Sequence, residues 1–497
     1  MLNFTPSGLW EGNDGSWATF NISVGEPPQN FRVLPLTGTS QVWLPDFVDA
    51  CANITLDYHD CQNLRGASYD TLSITNSSSW QEIQPFPLHD GSNLFGQDNR
   101  SSFGLDALML KTSAGNLSLS DQLVATYQTE DFWLGMLGLA ANITELLGKQ
   151  YHSVLQSWSD TGQIERVAYG YTAGAVYDPD KPAVLSLGGF ENRTVNNITK
   201  VIDTSKNTTI LDIWLEDIVV SGTFSDGARS LLPKANLSRY TIDSSTAQLW
   251  LPEVVCDNFQ SAFGLEYDED SGFYYMNETI HIQLQNRAPS IMVTLATLSP
   301  EDNSTTSTTS ITLPYKAFDL SLGYPYHDVA RPYFPIRKAA NSSQYVLGRV
   351  LLQEAFLAVD WANSTFTIGQ LEMPGPSLIK KRSKAALAGA LTTVILLVLI
   401  AVPVGWWYWK VRPKSWSLAV SILRQQYMEI WLRFLGEPRE GPEPAVLDGD
   451  RVSLAEGQAS SVESHRKPEI AHRASVWSRR RDMQGPYYKM TWHAAFE

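Results

Sequence analysis

Short runs of alternating apolar and polar residues, broken by Gly, Pro, Asn and Asp, fill most of residues 1–379. The runs at 19–24 (TFNISV), 210–220 (ILDIWLEDIVV) and 355–369 (AFLAVDWANSTFTIG) are rich in Val, Ile, Thr and aromatic side chains, which suit pleated, half-buried strands. Helical stretches are few, and 253–264 (EVVCDNFQSAFG) is the best soluble candidate. The polar repeat at 303–312 (NSTTSTTSIT) reads as a surface loop. The pattern changes at Ala385. From 385 to 409 there is no charged residue, and the segment ends in Trp406, Trp407, Tyr408 and Trp409. That length crosses a bilayer with some tilt, and the aromatic cluster suits one membrane interface. Further on, 416–435 sets Trp416, Val420, Leu423, Tyr427, Ile430, Trp431 and Phe434 at helical spacing, an amphipathic helix that fits either the inner membrane surface or a partner. Residues 438–497 are polar and rich in Pro, Glu and Ser, and are expected to be disordered.

The chain contains one element twice. Leu36-Thr37-Gly38-Thr39-Ser40-Gln41-Val42-Trp43-Leu44-Pro45 matches Asp243-Ser244-Ser245-Thr246-Ala247-Gln248-Leu249-Trp250-Leu251-Pro252, with Gln, an aliphatic residue, Trp, Leu and Pro at identical offsets. A second pair follows each copy at similar distance: Met136-Leu137-Gly138 and Val346-Leu347-Gly348. Two lobes of similar length are implied, at about 10–190 and 210–370.

At 497 residues, 43% hydrophobic and 18% charged, the composition is that of a folded protein of two or three compact units. The net charge of −15 is uneven, since residues 1–379 hold 19 Lys/Arg against 41 Asp/Glu while 410–497 hold 14 against 11. Such an acidic body repels nucleic acid, and none is expected as a partner. Sequons for N-glycosylation begin at Asn3, Asn21, Asn53, Asn76, Asn99, Asn116, Asn142, Asn192, Asn197, Asn207, Asn236, Asn277, Asn303, Asn341 and Asn363, and none follows the apolar segment. This asymmetry places 1–379 on the extracellular or lumenal side and the tail in the cytoplasm, a single-pass type I arrangement at the plasma membrane or in the secretory pathway. The basic juxtamembrane run 380–384 opposes that orientation under the positive-inside rule, and the sequons outrank it. The opening MLNFTPSGLW has neither a basic nor an apolar leader region, so a truncated or processed start is expected. Cys51 and Cys61 are close enough to bridge in an oxidising compartment, which leaves Cys256 unpaired.

The duplicated turn carries a family resemblance. Pepsin-like aspartic peptidases hold Asp-Thr/Ser-Gly-Thr/Ser once per lobe, each after an apolar strand and before an apolar run. Residues 16–370 resemble that family in order: Val24-Gly25-Glu26-Pro27-Pro28-Gln29-Asn30-Phe31 looks like the strand into the first motif. Leu185-Ser186-Leu187-Gly188-Gly189-Phe190 resembles the strand closing the first lobe, and Ala358-Val359-Asp360 with Ile368-Gly369 resembles the final hairpin. The opening Trp10-Glu11-Gly12-Asn13-Asp14-Gly15 is similar to a fungal membrane-anchored branch. The resemblance implies a mainly β, bilobal fold with an internal pseudo-two-fold, here joined to one transmembrane helix. It also implies two carboxylates sharing one proton, one acting as base on a trapped water while the other polarises the scissile carbonyl. Leu36 stands where the first of these belongs, so Asp243 is the residual acid. Ser245 replaces a family Gly, where a side chain is expected to cost space between the two loops, and no flap Tyr is recognisable in 86–91. Asp203, in Ile202-Asp203-Thr204-Ser205, lacks the Gln-x-Trp-Leu-Pro that should follow and reads as a loop acid.

No zinc-protease, hydrolase-elbow or phosphate-loop pattern occurs, and Asp268-Glu269-Asp270 lacks EF-hand spacing, so no cofactor and no metal are expected. The expectation is a non-catalytic ectodomain that binds an extended peptide in the interlobe cleft, as a sensor or wall-associated module. Membrane lipid would surround 385–409, and cytosolic partners would meet the tail. The rivals are an aspartic endopeptidase of weak or unconventional activity and a purely structural wall or adhesion protein.

Overall fold

The computed structural model describes residues 1–373 except 52–55, 57, 69–70, 72, 89–93, 95–100, 204–209, 225–226 and 300–306, together with Pro403, Trp406, Lys410, Arg424 and Met428. Residues 1–381 form one compact unit. The expected span 385–409 and tail helix 416–435 fall almost wholly outside the described residues, among which no helix is long and apolar enough to cross a membrane.

The period-two pattern becomes strand wherever it was strongest. Strand Trp17–Val24 covers 19–24, Asp212–Ser221 covers most of 210–220, and Ala355–Asp360 with Thr365–Leu371 forms the hairpin read at 355–369. The helix expected at 253–264 runs Glu253–Phe263 and ends on Gly264, whose left-handed backbone tolerates no ordinary side chain cheaply. Of the stretch 303–312, residues 303–306 lie outside the described residues and the remainder departs from expectation. Thr308–Pro314 is a strand, paired antiparallel with Ser290–Ala296 from Ala296↔Thr308 to Ser290↔Pro314. Composition hid an alternation in which Thr309, Ile311 and Leu313 point inward.

Each copy of the duplicated element is built the same way. Strand Gln29–Leu36 runs parallel to Gly135–Gly138, in register from Val33↔Gly135 to Leu36↔Gly138, and Val42–Pro45 pairs antiparallel on the other side of Gly135–Gly138. In the second copy Ser238–Ile242 runs parallel to Val346–Leu347, and Leu249–Leu251 pairs antiparallel with it. The Leu-Gly glycines are required by the crossing chain. A Cβ on Gly138 would lie 2.4 Å from the Gln41 carbonyl oxygen, and one on Gly348 would lie 2.3 Å from that of Gln248.

The halves are joined through a shared sheet. Ala355–Asp360, from the end of the second half, pairs with Ala168–Thr172 of the first, from Ala168↔Asp360 to Tyr171↔Leu357. One apolar core runs through both halves, and a second, smaller apolar cluster surrounds Leu36.

Candidate functional site

The two motif loops meet at the ends of their strands and are locked by their hydroxyls. The Thr37 N–H donates to Ser244 Oγ at 3.0 Å, and the Ser244 N–H donates to Thr37 Oγ1 at 3.0 Å. Each hydroxyl then reaches the carbonyl that precedes the other motif: Thr37 Oγ1 donates to Ile242 O at 3.2 Å, and Ser244 Oγ to Pro35 O at 2.7 Å. The lock is buried and nearly symmetric, so the sequence repeat is also a repeat of geometry.

Asp243 is 0% exposed, and its Oδ1 accepts the Ser245 N–H at 2.9 Å. Its carboxylate lies against Gly38, where a Cβ would come within 2.7 Å of Oδ2. Below it, the Tyr169 phenol is held well above its ordinary pKa by burial and by the negative charge of Asp243.

Leu36, at the equivalent position, is 1% exposed among apolar residues that include Trp43, Phe103, Met136 and Leu88. Phe86 packs on that cluster and meets Phe103 edge to face at 5.7 Å between ring centroids. The Trp43 Nε1–H is held by Gln41 Oε1 at 2.9 Å. Of the segment 86–91, Phe86 and Leu88 are therefore seen to face apolar groups, while His89, Asp90 and Gly91 lie outside the described residues.

Ser245 is 4% exposed, and its Oγ is buried without a hydrogen-bond partner among the described residues. Sequence reasoning missed the group that secures this loop. Arg349 is buried, and its Nη1 donates to Ser244 O at 2.7 Å and Ser245 O at 3.1 Å. Its Nη2 grips both oxygens of Asp14 at 3.0 and 2.8 Å. Asp14 also accepts the Trp17 Nε1–H at 2.8 Å, and the guanidinium lies 4.8 Å from the centre of the Trp17 rings. A charged residue directly after Leu347-Gly348 was the available signal, but its partner lies 335 residues away.

A cleft cavity of about 30 Å³ adjoins the second motif, with Asp14, Trp133, Ser245, Phe273, Arg337 and Arg349 among its walls. Burial lowers the pKa of the Arg337 guanidinium from its ordinary value. No cluster of His, Cys, Asp or Glu suited to a metal occurs among the described residues.

The remaining sites fall as follows. Cys51 and Cys61 form a disulfide with Cα atoms 6.0 Å apart, and Cys256 is a buried free thiol whose pKa is pushed up to about 12 by burial. Asp203 is exposed, just beyond strand Thr194–Val201. Among the described sequon residues, Asn3, Asn21, Asn76, Asn116, Asn192, Asn197, Asn277, Asn341 and Asn363 are exposed, while Asn142 and Asn236 are half-buried. Asn53, Asn99, Asn207 and Asn303 lie outside the described residues.

Comparison with known proteins agrees with this geometry. The family model for eukaryotic aspartyl protease matches residues 19–371. Candidapepsin-3 of Candida albicans is 24% identical over 362 residues, covering 71% of this chain and 79% of its own. Secreted aspartic protease 8 of the same species is 22% identical over 369 residues, with 74% and 79% covered. Pepsin B of Canis lupus familiaris is 22% identical over 263 residues, with 51% and 59% covered. With its doubled motif, its interlocked loops and a family match across both halves, the chain belongs to the eukaryotic aspartyl protease family.

Proposed function

We propose that this member of the family is a non-catalytic, single-pass type I membrane glycoprotein whose interlobe cleft binds an extended peptide without cutting it. Leu36 carries the reading. An aspartic dyad works because two close carboxylates share a proton, which leaves one as base for water and the other as donor to the carbonyl. An isobutyl group supplies neither function, and the described residues that cluster with Leu36, among them Trp43, Phe103 and Met136, are apolar. The frame that holds the two loops together is retained, as expected of a cleft kept for binding.

Topology rests on the uncharged segment 385–409 and on the sequons. No described sequon Asn is buried, so each is compatible with carrying a glycan. Membrane lipid around 385–409 and cytosolic partners for the tail belong to the same proposal. The test is mass spectrometry of peptides incubated with the purified chain, together with glycan mapping. Peptides bound and recovered intact, with glycans confined to residues before 380, are the expected result. Unglycosylated protein would overturn topology and localisation together.

A second reading, an endopeptidase of weak or unconventional activity, is favoured by Asp243, which keeps its buried place and its hydrogen bond from the Ser245 N–H. Leu36→Asp separates the two causes of silence. Restored cleavage would show a cleft lacking only its acid, whereas continued silence would implicate Ser245 and the 86–91 segment.

A further inference from the structure

The cleft beside the second motif is unusual in its charge. Arg337, on strand Ile336–Lys338, is half-buried with its guanidinium 4.2 Å from the Phe273 ring centre and 5.0 Å from that of Trp250. Among the described residues its guanidinium makes one hydrogen bond, from Nη2 to Ser271 O at 2.7 Å, and no carboxylate lies within ion-pairing distance of it. A guanidinium brings five N–H donors in a planar fork, so most of this one's capacity is unused.

Two further groups in the walls of the same cavity are buried without a partner among the described residues: Ser245 Oγ and Arg349 Nε. Asp14 is already committed to other donors, its two oxygens accepting from Arg349 Nη2 and Oδ1 also from Trp17, and it makes no hydrogen bond to either group. Buried polar groups are costly when unpaired, and those here are donors or able to donate. The complementary occupant is an acceptor with negative charge. The lining holds two opposing charges: Asp14, paired with Arg349, and Asp131, which is exposed. Solvent screens an exposed charge strongly and a half-buried one much less, so Arg337 dominates inside the cavity.

We infer that the cleft selects extended peptides that carry a carboxylate, received by the Arg337 guanidinium with Ser245 and Arg349 beside it. The inference rests on the reading of the cleft as a peptide groove. It adds a ligand class to that reading: peptides with acidic side chains.

The test uses the full chain and fluorescein-labelled octapeptides of Val, Leu and Ala, with Glu or Gln scanned through each position, read by fluorescence anisotropy. At one position Glu should bind about tenfold more tightly than Gln, the scale of one charge-assisted hydrogen-bonded contact. Arg337→Met should abolish that preference and Arg337→Lys should keep part of it. If Arg337→Met does not fold, Ser245→Gly serves, with the preference expected to fall about two- to threefold, and Asp131→Asn should raise Glu affinity by about twofold. Binding with equal affinity for Glu and Gln at every position would overturn this inference and leave the peptide groove standing. Failure of all the peptides to bind would overturn both.

Discussion

The two motif loops share one backbone and one lock, yet they present opposite chemistry. On the second, Asp243 is held by the Ser245 N–H and pressed against Gly38. On the first, Leu36 joins Trp43, Phe103 and Leu88 in an apolar cluster. The hydroxyl lock between Thr37 and Ser244 depends on neither. Loop architecture and the side chain that opens each motif are therefore separable: the same lock joins a loop that begins with Asp to one that begins with Leu.

The largest expected effect comes from making the loops chemically alike. Leu36→Asp places a carboxyl group among apolar side chains and near Asp243, and should cost about 4 kcal/mol at neutral pH, read by denaturant unfolding. Burial and the neighbouring carboxylate raise its folded pKa above the unfolded value of about 3.9. The deficit should therefore be smallest below about pH 3.9 and grow as pH rises through the folded pKa. A deficit independent of pH would show that position 36 is not shielded as described.

Next is the clamp found only on the second loop. Arg349→Met leaves the Asp14 carboxylate without its cation and should cost about 3 kcal/mol. Adding Asp14→Asn should recover part of that loss, a coupling read from a double-mutant cycle. Additive losses would mean that the pair does not act as a unit.

Symmetry itself is tested by matched changes. Gly138→Ala and Gly348→Ala each push a methyl into a crossing carbonyl, and each should cost about 2 kcal/mol. The smallest effects are for Thr37→Val and Ser244→Ala, at about 1–2 kcal/mol each, with the two losses expected to lie close together in thermal melts. A large inequality within either pair would break the equivalence of the halves.

Much of this was legible because it is local or repeated. Gln-x-Trp-Leu-Pro aligned Leu36 with Asp243 without any outside reference, and the paired Leu-Gly marked where a chain crosses. The Cys51–Cys61 bridge and helix Glu253–Phe263 followed from short-range spacing. What escaped is long-range or masked by composition. Arg349 and Asp14 meet only in the fold, and the Ser/Thr-rich run concealed a strand whose inward positions include a threonine. The apolar surroundings of Leu36 likewise come from strands distant in sequence.

The most direct measurement is digestion of a denatured protein at acid pH by purified residues 1–381, with Asp243→Asn as control. The expected result is the same absence of cleavage in both. Cleavage that a statine-type inhibitor blocks and Asp243→Asn abolishes would contradict the account.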